Sequence, residues 1–77
     1  MTFITYDLAG DGQVNLSIYN IMGRKVKTLI DKYETVGRKV AAWYGVDDSG
    51  NPLSAGMYFY RLTAGGKVFT KKMVLMK

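Results

Sequence analysis

Side chains that commonly do chemistry are sparse in this sequence, and the gaps narrow its function. There is no histidine and no cysteine, which removes the usual general bases, thiol nucleophiles and soft metal ligands. Ser17, Ser49 and Ser54 are left with no histidine to activate them, and nothing in their spacing suggests a serine–lysine pair. The expectation is a protein that is not an enzyme and uses no cofactor and no metal. One acidic run, Asp47-Asp-Ser-Gly-Asn51, has the composition of a calcium loop, yet no glutamate follows to close it. A calcium site draws several oxygens at set spacing and is commonly closed by a bidentate acid. Asp and Asn also bond the amides of their own turns, so this run predicts a turn. Gly10-Asp-Gly12 has no helix after it, as a phosphate cradle would require.

The remaining chemistry is positive charge. Eleven Lys and Arg stand against six Asp and Glu, a formal net charge of +5. The basic residues gather at Arg24, Lys25 and Lys27, and again at Lys71, Lys72 and Lys77. Such an excess favours anionic partners in a salt-dependent way, an anionic surface polysaccharide among them. With aromatics nearby it could also resemble a nucleic-acid surface. The tyrosines alternate as the wall of a sandwich core requires, however, and lysines also guard strand edges. No nucleic-acid partner is expected.

The elements that must position these residues are strands. Seventy-seven residues make one domain, residues 1–77, which buries only roughly 60% of its unfolded surface. Aromatics at 13% and six tyrosines suit pleated, half-buried surfaces. No segment approaches the about 20 apolar residues of a membrane helix, and no signal peptide opens the sequence. Apolar residues recur with period two. Ile4, Tyr6 and Leu8 alternate within Phe3 to Leu8, and Val14, Leu16 and Ile18 within Gln13 to Tyr19, which predicts an antiparallel pair across the Ala9 to Gly12 turn. After a turn at Asn20 to Gly23, Arg24 to Ile30 resumes extended chain, with Leu29 out of alternation as at a bulge. Lys25 to Tyr33 also fits helical spacing, but its β-branched residues and uncapped flanks argue against a helix. Asp31 to Val36 reads as an irregular loop ending at Gly37. Arg38 to Trp43 is a strand with Ala41 and Trp43 on one face, followed by a polar loop from Gly45 to Pro52. Met57 to Leu62 carries Tyr58, Tyr60 and Leu62 on one face. Gly65-Gly66 is a two-residue hairpin signal. Lys67 to Met76 closes the chain with Phe69, Met73 and Leu75 on one face. The rhythm predicts an all-β, immunoglobulin-like antiparallel β-sandwich of six to seven short strands.

In order, the sequence reads Ile4-x-Tyr6-x-Leu8, then Val14-x-Leu16-x-Ile18-Tyr19-Asn20-x-x-Gly23-Arg24-x-Val26-x-x-Leu29. Gly37 follows, then Trp43-x-Gly45-x-Asp47-x-x-Gly50-x-x-Leu53-x-x-Gly56-x-Tyr58-x-Tyr60-x-Leu62, and last Thr70-x-Lys72-Met73-Val74-Leu75-x-Lys77. Across essentially the whole chain this pattern resembles the C-terminal sorting domain of the type IX secretion system (the Por secretion tail). It is also similar to the immunoglobulin-like domain of the flagellar hook-capping protein. The first resemblance implies the C-terminal module of a larger exported protein, directed through the periplasm and across the outer membrane to the cell surface. It implies outer-membrane secretion machinery as partner. It also places the internal motif at Gly56 and Tyr58 and the closing motif at Lys72, Met73, Val74, Leu75 and Lys77. The second implies an architectural interaction module that contacts neighbouring domains of its own chain or pairs as a weak homodimer. The Trp43 to Gly50 loop leans toward that branch, and Lys39 stands where an apolar or histidine residue is commoner in the sorting domains.

Overall fold

The computed structural model describes residues 1–76. Strands form where the alternation places them: β1 (Thr2–Leu8), β2 (Gly12–Tyr19), β3 (Lys25–Glu34), β4 (Gly37–Trp43), β5 (Gly56–Ala64) and β6 (Lys67–Leu75). Antiparallel β1 and β4 make a two-stranded sheet, and the order β3-β2-β5-β6 makes an antiparallel four-stranded one. The two stack as a small sandwich. Ile4, Tyr6 and Leu8 of β1 with Ala41 and Trp43 of β4 close over Val14, Leu16 and Ile18 of β2 and Tyr58 and Leu62 of β5. Along β1 and β2 every second side chain from Ile4 to Leu8 and from Val14 to Ile18 is dry, as a face buried against another sheet requires.

Two expectations are corrected. β1 and β2 do not pair with each other; β1 pairs with β4, and β2 lies between β3 and β5. Their dry faces meet across the core, an arrangement that leaves the same alternation in the sequence as side-by-side pairing would. The Asp31 to Glu34 segment is strand rather than loop, bonded to Gly12 to Asn15. It is an edge, and its Asp31, Lys32 and Tyr33 are exposed, so no buried face marks it. The bulge at Leu29 is present: Leu16 faces Ile30 and Ser17 faces Thr28, leaving Leu29 over, and a second shift leaves over Val26.

Turns are fixed by local bonds. Gly65 and Gly66 both take positive φ, 58° and 75°, the backbone of a tight type I′ hairpin. At one end of the sandwich, Asp11 Oδ1 accepts the Val36 amide at 2.7 Å, tying the β1–β2 loop to the β3–β4 loop, two of the three connections that cross between sheets. At the other, Asn20 Oδ1 accepts the amides of Met22 and Arg24, each at 3.0 Å.

The lid sheet is narrower than the floor it covers, so β6 lies largely uncovered. Phe69 sits on the inward-facing side as its spacing predicts, yet it is 52% exposed. Met73 is half-buried, and only Leu75 at the strand's end is buried.

Candidate functional site

Most of the predicted site residues meet on the last hairpin. Counting outwards from the Gly65-Gly66 turn, Tyr58 falls opposite Met73 and Gly56 opposite Leu75, while Lys72 faces Phe59 and Val74 faces Met57. The residues that the resemblance assigns to an internal and a closing motif are therefore two sides of one ladder. Lys77 lies outside the described residues.

The pleat divides these residues by direction. Tyr58, Met73 and Leu75 point inward. The Tyr58 ring meets Trp43 edge-on, with centroids 5.2 Å apart at 71°, and its hydroxyl donates to the Ser54 carbonyl at 2.7 Å. Trp43 Nε1 donates to the Val46 carbonyl at 2.9 Å, so both amphipathic rings have their polar ends satisfied within the core. Leu75 lies over Gly45, where a Cβ would stand 3.1 Å from a Leu75 methyl. Gly45 also has φ +75°, a conformation few side chains tolerate. Lys72 and Val74 point the other way, into solvent beside Met57 and Phe59. Trp43, Gly45 and Ser54 were not anticipated as parts of this site. The Gly65-Gly66 turn was the signal that could have assembled the ladder, because a two-residue loop sets the register of everything beyond it.

The polar loop after β4 braces the core side of the site. Asp47 Oδ1 accepts the amides of Ser49 and Asn51, both at 2.9 Å, the turn chemistry its sequence predicts. Next to it, Asp48 Oδ1 accepts the Thr28 amide at 3.0 Å, and the Asp48 amide donates to the Val26 carbonyl at 3.0 Å, fastening the loop to β3. Backbone donation from Asn51 is the chief reason the Asp47 carboxyl titrates below its usual 3.8. A depressed folded-state value stabilises the fold above the unfolded pKa and ceases to do so as pH falls through the folded one. Asp47→Ala is therefore expected to lower the melting temperature at neutral pH, with the gap to wild type narrowing below 3.8. Melting curves recorded across the acid range check this. A gap that stays constant with pH would show that the turn does not depend on the charged carboxylate.

With the ladder in place, the chain can be compared with known proteins. The model of the family described as "Secretion system C-terminal sorting domain" matches residues 1–76. The chain belongs to that family. No curated protein and no solved structure matches it. The match is to the sorting domains, one of the two families its motifs resemble. This sorting domain is a C-terminal signal for type IX secretion, recognised by that machinery, and it marks its carrier for export across the outer membrane to the cell surface or beyond. Sorting-signal domains of this family are not catalytic.

Proposed function

We propose that the type IX machinery reads this domain as a folded unit, through the outward side of the β5–β6 hairpin around Lys72 and Val74. The observation that carries the reading is the register, which sets Gly56 and Tyr58 opposite Leu75 and Met73 and leaves Lys72 and Val74 free of the core. Gly56, Tyr58, Met73 and Leu75 are anchors that hold the hairpin in shape. Lys72 and Val74 are the contact residues, a cation with no ion pair among the described residues and an aliphatic side chain 59% exposed. Residues 1–77 act as one non-catalytic C-terminal module of a larger exported protein. Its work is recognition, and no bond is made or broken by its own side chains.

Fusing residues 1–77 to the end of a periplasmic reporter, in a host that has a type IX system, tests this reading. Reporter on the cell surface, accessible to added protease, is the expected result. Reporter held in the periplasm with the domain folded would sink it.

A further inference from the structure

The lid sheet stops one strand short of the floor. β1 has a single neighbour, β4, so its other edge presents a row of unpaired amides and carbonyls. Beside that edge lies the part of the floor that the lid does not reach, where Phe69 is 52% exposed and Tyr60 half-buried. A groove of about 220 Å³ runs there, with Thr5 and Asp7 on the β1 side and Tyr60, Leu62, Phe69 and Lys71 on the floor. A second, also about 220 Å³, shares Asp7, Leu62 and Phe69 with it and continues past Leu8 to Gly10, with Lys67 on its far wall. The two make one trough along β1 from Thr5 to Leu8, roughly 13 Å at about 3.3 Å per residue, and on into the turn at Gly10.

The other sheet edges lack this combination. β3 is twice bulged, which blunts an edge. β6 is the last strand of the floor, and a strand added outside it would have no opposing sheet to cover it. On the β4 side, Asp48 fastens the following loop to β3.

The trough also has a sign. Of its two acids, Asp7 is paired with Arg38 Nε at 3.2 Å, while Asp11 accepts the neutral Val36 amide at 2.7 Å and keeps its charge. Lys67 and Lys71 form no ion pair among the described residues. Two lysines against one uncompensated carboxylate leave the trough with a net positive charge. We infer that the open edge of β1 is a docking site for an extended, acidic segment of a partner protein, which adds to the lid as a third strand. Its backbone pairs with β1, its inward apolar side chains cover Phe69 and Tyr60, and an inward acid meets Lys71, the division of labour usual when a peptide extends a sheet. A second copy of this chain is a poorer occupant, because each carries a net +5 and the pairing would bring their lysines together. The inference stands apart from sorting, and its test involves no secretion.

The probe is the heptapeptide Thr-Val-Thr-Asp-Thr-Val-Thr, blocked at both ends, titrated into the 77-residue chain at low salt. Its counterparts are the same peptide with Lys at the centre and one with alternate backbone amides methylated. The acidic peptide is expected to bind about three- to fivefold more tightly than the Lys peptide, the range of one partly exposed ion pair. It should slow amide exchange along Thr5 to Leu8. Lys71→Glu should reverse the preference, Phe69→Ser should weaken both peptides, and methylation should abolish binding. Both positions are exposed, so the variants are expected to keep the far-ultraviolet circular dichroism of the parent. Acidic and Lys peptides binding alike, protection confined to the β3 or β6 edge, or a dimer that peptide does not displace would each overturn the proposal.

Discussion

Trp43→Ala is expected to destabilise the domain by about 3–5 kcal/mol, the range for deleting a buried tryptophan side chain. Trp43 is fully buried, at 0% exposure, and three losses coincide there. The ring's volume disappears from the centre of a small core, the Val46 carbonyl loses its indole donor, and Tyr58 loses the ring it meets edge-on. At about 0.05–0.15 kcal/mol per residue a 77-residue domain has only about 4–12 kcal/mol to lose, so at the low end of that range the variant would be largely unfolded, and at the high end it would lose about a quarter to two fifths of its stability. Urea denaturation followed by circular dichroism measures it. Fluorescence cannot serve, because Trp43 is the sole tryptophan. A loss below about 1 kcal/mol would be that of an ordinary surface change rather than of a core deletion, and would mean that Trp43 does not organise the core.

Trp43 also shows what the sequence makes legible. Its alternation with Ala41 marks a dry face, and the same logic finds nearly every strand, because burial on one side leaves a period of two. Partnership is different. Ile4, Tyr6 and Leu8 are dry because they face Val14, Leu16 and Ile18 across the core, and alternation does not distinguish facing from adjoining. Asp31 to Glu34 resembles a loop because an edge strand wetted on both faces needs no apolar pattern. Phe69 fails in the opposite direction, since its spacing is that of a core residue while its exposure depends on how many strands the opposite sheet holds. In the candidate site the turn glycines were readable, and so was the register they impose. Gly45's closeness to Leu75 was not readable, because those residues lie 30 apart in the sequence and meet only after the loop folds back.

That contact shapes the last prediction, which separates holding the hairpin from reading it. Leu75 is 3% exposed, and Leu75→Ala should destabilise by about 2–5 kcal/mol. Removing Lys72 to Lys77 outright would take Met73 and Leu75 with it, so lost export after that truncation would report unfolding as much as lost recognition. The informative change keeps both anchors and alters only what points outward. Lys72→Glu together with Val74→Asp reverses one charge and places a second acid on the exposed side of β6, where substitutions cost about 1 kcal/mol or less. With melting temperature nearly unchanged, surface delivery of the reporter is expected to fall by about tenfold or more, since burying an acid without a partner at an interface costs several kcal/mol and about 1.4 kcal/mol is a factor of ten. Leu75→Ala, assayed at a temperature where it remains folded, should still deliver. If delivery instead follows melting temperature across all variants, Lys72 and Val74 are ordinary surface and the machinery senses only that the sandwich is folded.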